Sequence, residues 1–452
     1  MEKIKKIAIL GASESGLGAA ILAKSKGYNV FVSDLGIIND KYKQELIKYG
    51  INYEENKHSL EILLSYNTII KSPGIPNKSD IIKAIKNQNL ELLSEIEFAS
   101  RFTKAKIIGI TGTNGKTTTA SLVYYILQEA GKNVIIAGNI GYSFARALIE
   151  KPQADYYVLE LSSFQLEDIK NFKSDIAIIL NITEDHLDIH KTMNEYLKCK
   201  FNIIKNQNIG DIFIYNADDE LINTFLDNHN IKSRKFPMSL KTDKNVLHDG
   251  AIKHGDNIIL KNNSQEEYIN TNNFALYGNH NMYNSMAAII AARLYEVKSE
   301  SLKQSLQSFK NIDHRLEKVA TIKGIQFIND SKATNINATW YALESTHTKI
   351  ILLMGGVDKG NDYSKIKDLV KNKVKIIINL TKDPKQRDKL HEYFQDYVDV
   401  INAFSMQEAV KISYEIASKG DTVLLSPACA SFDLFKSYQD RGKQFKEAVL
   451  KL

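Results

Sequence analysis

Three times along this chain a short β-rich run passes into a glycine-bearing turn and then into a helix-forming segment. The first series is Lys5–Leu10, the turn Gly11–Gly18, a helix over Leu17–Lys26 and a second strand at Asn29–Val32. The next is Lys106–Ile110, a glycine-rich loop and a helix from Lys116 to about Glu129. The third begins near Gly324–Ile328 and continues through Ile350–Met354, Val374–Ile378 and Thr422–Leu425. Strands that alternate with helices pack as parallel sheets, because a parallel crossover needs a helix-sized connection. The chain is therefore α/β. Its 452 residues, at roughly 150 per domain, predict three domains. Boundaries are expected near 96 and 311, giving 1–96, 97–311 and 312–452. The asparagine-rich stretch Lys261–Asn273 reads as loops and small antiparallel strands of the middle domain.

A hydrophobic fraction of 43% and a charged fraction of 25% allow ordinary cores without disulfide or metal staples. Cys199 and Cys429 match no disulfide or zinc spacing, which fits a reducing compartment. The charged N-terminus is followed by too short an apolar run for a signal peptide, and no stretch is long and apolar enough to span a membrane. A cytoplasmic monomer is expected. The net charge of +6 comes almost entirely from lysine, without a dense basic tract. Small phosphorylated or carboxylated substrates account for it as well as nucleic acid would, and no nucleic-acid or membrane partner is expected.

The most informative segment is Ile107-Ile-Gly-Ile-Thr-Gly-Thr-Asn-Gly-Lys-Thr-Thr-Thr119. Glycines let backbone N–H groups converge on phosphate oxygens, and the helix start adds positive dipole. Lys116 supplies a point charge for the β/γ-phosphates, and Thr117 a hydroxyl for magnesium. Ile110 stands where a strict GxxxxGK[ST] has its first glycine. The plain alternative is a tight strand–helix turn that happens to carry Lys-Thr. Glu160 ends an apolar strand, where a carboxylate faces the ligand crevice of an α/β sheet and suits magnesium, though a strand-end surface residue is the commoner reading. His186 follows a second such strand, Ile178-Ile-Leu-Asn-Ile-Thr-Glu-Asp-His186. Lys200 lies on a helix over Met193–Lys205 and, on residues alone, reads as a solvated helix face.

Gly112-Thr-Asn-Gly-Lys116 resembles the variant phosphate loop of the Mur ligase family. So do Glu160-Leu-Ser-Ser-Phe-Gln165, the strand ending at His186, Tyr196-Leu-Lys-Cys-Lys-Phe201 and Tyr277-Gly-Asn-His-Asn-Met-Tyr-Asn284. The resemblance covers essentially the whole chain in the expected order. It implies Rossmann-like N- and C-terminal domains around a central P-loop ATPase-like domain. It also implies an ATP site formed by Gly112, Thr113, Asn114, Gly115, Lys116, Thr117 and Thr118, with Asn281, Asn284, Arg315 and Asp330. Two magnesium ions are implied, held by Thr117, Glu160, His186 and Lys200, the last as a lysine carbamate. Capping by Asn279 or Asn281 is compatible with the nucleotide role of that helix start.

The first domain has a strand, Gly11, Gly16, Gly18 and then Asp34 at the end of the second strand. That arrangement also suits an NAD-dependent oxidoreductase, but the spacing is not GxGxxG. Ser72-Pro-Gly-Ile-Pro76 resembles the family loop that closes over a uridine diphosphate. The resemblance therefore makes Ser15, Gly16, Asp34, Ser72, Asn139, Ser162 and Gln165 contacts of a UDP-linked substrate. Leu35-Gly36 stand where some members carry an arginine after the aspartate.

In the C-terminal domain, Asp313-His-Arg-Leu-Glu317 precedes Asn329-Asp-Ser-Lys-Ala-Thr-Asn335. The Arg315 fork suits a triphosphate, Asp330 can accept from ribose hydroxyls and Lys332 can neutralise a transferring phosphoryl group. A surface ion-pair cluster is the alternative. Gly355-Gly-Val-Asp-Lys-Gly360 and Ser426-Pro-Ala-Cys-Ala-Ser-Phe-Asp433 resemble the branch of the family that adds D-glutamate. The implied activity is ATP-dependent joining of D-glutamate to UDP-N-acetylmuramoyl-L-alanine through an acyl phosphate, in peptidoglycan precursor synthesis. Lys116, Lys200, His186 and Lys332 are the expected catalytic residues. Thr334, Lys359, Ser431, Phe432 and Tyr438 are the expected D-glutamate contacts, with Ser431 and Phe432 opening the final helix. Rival readings are a folylpolyglutamate synthetase-like or sibling ligase, and a P-loop ATPase that acts as a switch or motor.

Overall fold

The structure, a computed structural model, describes residues 5–241, 248–276, 278–310, 313–358 and 360–452. Its strands form three sheets. The first contains β1 (Lys6–Leu10), β2 (Asn29–Ser33), β3 (Asn52–Glu54), β4 (Thr68–Lys71) and β5 (Glu91–Ser94). They pair in parallel in the order β3-β2-β1-β4-β5. The order reverses direction between β1 and β4, so the turns after these two strands, at Gly11 and Ser72, border one crevice.

The second sheet runs β14-β13-β12-β11-β10-β9-β6-β8-β7. Its parallel part is β6 (Lys106–Thr111), β7 (Val134–Gly138), β8 (Tyr156–Glu160), β9 (Ile176–Ile179), β10 (Ile212–Asn216) and β11 (Arg234–Ser239). An extension of β12 (Gly250–His254), β13 (Asn257–Asn262) and β14 (Gln265–Asn270) is antiparallel within itself. This is where loops and small antiparallel strands were expected. The third sheet contains β15 (Glu317–Ile322), β16 (Ile325–Asn329), β17 (Ile350–Met354), β18 (Val374–Leu380), β19 (Asp399–Ala403) and β20 (Thr422–Leu425). Its order is β15-β16-β20-β17-β18-β19, with only β15 antiparallel to its neighbour. Central strands such as β17, Ile-Ile-Leu-Leu-Met, are buried throughout, as a strand covered by helices on both faces must be.

The chain divides into two compact units. One holds the first two sheets, up to Phe274, with Asn281–Phe309; the other holds Ala275–His280 and the residues from Lys310 onward. Within the first unit the helix Glu14–Ser25 packs on the helix Phe144–Glu150. Gly18 permits this approach, because a Cβ there would run into the Ser143 hydroxyl. Acidic side chains add to the join. Glu97 Oε2 accepts from the backbone N–H groups of Lys170, Asn171 and Phe172 at 2.9, 2.9 and 2.8 Å. Glu95 accepts from Ala145 N, and Lys71 pairs with Asp168 at 2.8 Å. The helix carrying both glutamates, Glu95–Ser100, spans the expected boundary at 96, and the one at 311 lies outside the described residues.

Candidate active site

Strand β6 lies between β8 and β9. The loops that leave these three strands therefore emerge side by side at one end of a parallel sheet. The loop after β6 is the glycine-rich one, and its helix runs Lys116–Glu129. Gly115 precedes it at φ +86°, and a Cβ there would press into the side chain of Asn284. Asn181, after β9, clamps the loop at two points: Asn114 N donates to its Oδ1 at 2.9 Å and its Nδ2 donates to the Asn114 carbonyl at 3.0 Å. The Thr113 hydroxyl donates to the Thr183 carbonyl and lies 3.1 Å from the Tyr196 hydroxyl. From the helix Asn279–Leu294, Asn284 Oδ1 accepts from Thr119 Oγ1 at 3.1 Å, and its Nδ2 donates to Asn281 Oδ1 at 3.1 Å. The two asparagines expected at a nucleotide thus also brace the loop helix.

Lys116 Nζ donates to the carbonyls of Gly112 and Thr113 at 2.9 and 2.8 Å. Lys200 Nζ reaches the same Gly112 carbonyl at 2.8 Å and lies 4.5 Å from the centre of the Tyr196 ring. Lys200 is 2% exposed, so the solvated-face reading fails. Burial, and then the neighbouring Lys116 charge, push its ammonium well below the ordinary lysine range. Its helix is α-helical over Met193–Phe201 and continues as a tighter turn over Asn202–Ile204, somewhat short of the expected span.

Glu160 ends β8 at 2% exposure. Asn139 Nδ2 donates to its Oε1 at 2.9 Å, while Oε2 is buried and has no hydrogen-bond partner. A buried carboxylate oxygen without a donor is costly unless a cation or ligand meets it. His186 adopts φ +56°, with its ring edge on Phe164 and Nε2 3.7 Å from Asp185 Oδ2. His190, which sequence reasoning passed over, holds Ser163 Oγ at 2.9 Å and stacks on Phe164. Among the described residues no three His, Cys, Asp or Glu side chains cluster as a metal site. Magnesium asks for less, since one or two carboxylates with phosphate and water oxygens suffice.

Of the residues expected at a UDP-linked substrate, Asp34 accepts from Ala12 N at 2.7 Å and Gly36 N at 2.8 Å, which shapes the turn after β1. Gly16 is needed there because a Cβ would overlap the Gly11 carbonyl, and the Ser72 hydroxyl reaches that carbonyl at 3.4 Å. Ser15 is partly exposed in the first turn of the same helix. Asn139 stands on Glu160, as described. Ser162 and Gln165 close a capping box on the helix Ser163–Glu167, which occupies their polar ends locally.

In the second unit, Asp330 follows β16 and Ser426 follows β20, its sheet neighbour. Asp330 is buried, accepting from Leu316 N at 3.3 Å and Ser426 Oγ at 3.1 Å. Burial pushes its carboxyl up to about 7, against the pull of the Arg315 charge. Each of its oxygens thus already takes one protein donor. Lys332 Nζ lies 5.4 Å from the centre of the Tyr438 ring, and Thr334 is half-buried. The final helix starts at Tyr438 with Ser437 as its cap, Ser437 Oγ accepting from Asp440 N at 3.1 Å. Ser431 and Phe432 therefore do not open that helix, and Tyr438 is its first residue. The reason lies just upstream: Ala430 is held in a bridge with Val357, and the single turn closed by Phe435 N on the Ser431 carbonyl does not propagate. Ser431 is buried and Phe432 is 73% exposed. Lys359 lies outside the described residues. Sequence reasoning also missed Asn181, Tyr196 and Arg441; the first two stood inside the quoted segments, and only Arg441, a scarce arginine, had a signal of its own.

The parallel sheets, the glycine loop with Lys-Thr at its helix start and the carboxylate at the end of the adjoining strand define a phosphate-loop α/β architecture, and sequence comparison gives its family. The pattern of the Mur ligase middle domain matches residues 110–292, that of the Mur ligase glutamate ligase domain residues 314–429, and that of the MurD N-terminal domain residues 6–81. The chain belongs to the Mur ligase family. It is 48% identical to the UDP-N-acetylmuramoylalanine–D-glutamate ligase of Bacteroides fragilis, over 99% of this chain and 100% of that one. It is also 48% identical to the ligase of the same name from Porphyromonas gingivalis, over the whole of both chains. Among solved structures, MurF ligase from Thermotoga maritima in complex with ADP has the same fold, with TM-score 0.61, 16% identity and coverage of 94% of this chain and 95% of that one. No helix among the described residues is long and apolar enough to cross a membrane.

Proposed function

We propose that this chain is an ATP-dependent ligase that joins D-glutamate to UDP-N-acetylmuramoyl-L-alanine in peptidoglycan precursor synthesis, acting in the cytoplasm as a monomer. The observation that carries the proposal is full-length 48% identity to two ligases of that name. The substrate carboxylate would attack the γ-phosphate of ATP, releasing ADP and giving an acyl phosphate, and the amine of D-glutamate would then attack the acyl carbon and displace inorganic phosphate.

The chain's own residues have definable tasks in that scheme. The loop Gly112–Thr118 would cradle the ATP phosphates, and Lys116 would shift from its loop carbonyls to phosphate oxygens. Asn281 and Asn284 would adjoin the nucleotide, with Arg315 and Asp330 as further ATP contacts and Lys332 neutralising the transferred group. Magnesium, when bound, would supply charge neutralisation at the phosphates. The unpartnered Glu160 Oε2 fits it, and Thr117 and His186 are the further candidate ligands. Lys200 would join them as a carbamate, which forms from a neutral amine and carbon dioxide with loss of a proton; burial and the Lys116 charge favour that neutral form. Ser15, Gly16, Asp34, Ser72, Asn139, Ser162 and Gln165 would hold the UDP-linked substrate. Thr334, Lys359, Ser431, Phe432 and Tyr438 would hold D-glutamate.

Phosphate release measured with magnesium and each substrate in turn tests the proposal. Release should require UDP-N-acetylmuramoyl-L-alanine and D-glutamate together. Equal turnover with L-glutamate, meso-diaminopimelate or no amino acid would remove the assignment.

A further inference from the structure

The first turns of the final helix are where three separate segments of the second unit meet. Ser331 Oγ donates to the Tyr438 carbonyl at 2.8 Å, and Asn329 Nδ2 donates to the Gly442 carbonyl at 3.3 Å. Gly442 leaves no space for a side chain, because a Cβ there would run into the His314 imidazole. Between these contacts sits Arg441, 1% exposed. Its Nε donates to Ser331 Oγ at 3.0 Å, its Nη2 to the Ser331 carbonyl at 2.8 Å and its Nη1 to the Cys429 carbonyl at 3.1 Å. Every nitrogen of the guanidinium is given to a neutral acceptor.

That is an expensive way to fill a core position. Burial lowers the Arg441 guanidinium to about 10, so it still carries its charge at neutral pH. A buried cation without a hydrogen-bonded carboxylate carries a desolvation cost that an apolar side chain would not. What the guanidinium provides is geometry, since its planar fork reaches two loops at once and an ammonium on a flexible stem does not. The residues it holds stand beside the candidate site residues: Ser331 precedes Lys332, and Cys429 is two positions before Ser431.

We propose that Arg441 is a positioning residue for the amino-acid end of the site, tying the loop that carries Lys332 and Thr334 to the loop that carries Ser431. It fixes the spacing of the groups that receive the two carboxylates of D-glutamate, and in this it rests on the function proposed above. Arg441 itself does not touch the substrate, because it is buried and each of its three nitrogens is held by a protein oxygen.

The test uses the full chain with Arg441→Lys and Arg441→Gln. Both variants should raise KM for D-glutamate by at least about tenfold, as a misplacement of roughly 1 Å in a polar pocket does. KM for ATP and for the UDP-linked substrate should stay within about twofold of the parent. Hydrogen exchange should quicken in 329–335 and 426–432 together, and millimolar guanidinium added to Arg441→Ala should lower its D-glutamate KM. An unchanged D-glutamate KM in Arg441→Lys, with only a lower melting temperature, overturns the proposal and leaves Arg441 a packing residue. If Arg441→Gln does not fold, Arg441→Lys decides. If the parent turns over without D-glutamate, the functional reading has failed separately. Exchange then decides alone, and unchanged protection of both loops in Arg441→Lys overturns the tie.

Discussion

Lys116 and Lys200 donate to one acceptor, the Gly112 carbonyl, at 2.9 and 2.8 Å. Two ammonium groups on one buried oxygen are an unstable pairing unless one of them gives up its proton or meets an anion. Lys200→Met should therefore leave thermal stability equal or higher while removing most ligase turnover. In Lys200→Ala, a small carboxylate such as acetate should restore part of the turnover by standing where the modified lysine would. A Lys200→Ala variant with parental kcat would show that this side chain has no part in the reaction.

The phosphate loop offers a steric test. Gly115→Ala adds a left-handed backbone penalty of about 1–2 kcal/mol and pushes a methyl group into the Asn284 amide. KM for ATP should rise and the melting temperature should fall. In the double variant with Asn284→Ala, the steric part should be recovered and the backbone part should remain. Additive losses across that cycle would mean that the two residues do not meet.

Glu95 gives a pH prediction. Burial pushes its carboxyl from 4.5 up to about 8, so the folded chain keeps a proton that the unfolded chain releases near 4.5. Between those values the folded state binds more protons, and stability falls as pH rises through that window. Glu95→Gln removes the titration while keeping an acceptor for Ala145 N. Its stability should match the parent near pH 4.5 and exceed it above pH 8, by on the order of a few kcal/mol at most. Thermal unfolding curves at the two ends of the range check this, and a parallel decline in both proteins refutes it.

Ser431 and Ser437 should separate a substrate contact from a helix cap. Ser437→Ala should cost about 1 kcal/mol of stability with D-glutamate KM unchanged, because Ser437 caps the final helix. Ser431→Ala and Lys359→Ala should instead raise KM for D-glutamate and spare KM for ATP. The opposite pattern would return Ser431 to a structural role.

Much of the fold was legible because its signals are local. The helix Lys116–Glu129 and the strands Ile350–Met354 and Thr422–Leu425 coincide with the sequence reading, since glycine, lysine and uninterrupted apolar runs mark their ends. The clamp between Asn181 and Asn114 was not legible, because it exists only once β9 lies beside β6. The burial of Lys200 was hidden for a related reason: helix periodicity does not say which face meets a phosphate loop. The start of the final helix was misread because two serines, six residues apart, are both plausible caps. A bridge between Val357 and Ala430, remote in sequence, decides between them.

The join between the first two sheets bears on how such a chain can be recombined. Glu95 and Glu97 grip backbone N–H groups beyond β7 and β8, so the short helix Glu95–Ser100 belongs energetically to both sheets. A chimera cut just before this helix, pairing a foreign first sheet with the native remainder, would retain both acceptors and leave only the Lys71–Asp168 pair and the fit of Gly18 against Ser143 to be matched by the foreign sheet. A cut just after it would replace both glutamates with whatever residues another scaffold carries there. Modular exchange in this chain is therefore governed by a seam at Ser94, the cap of that helix.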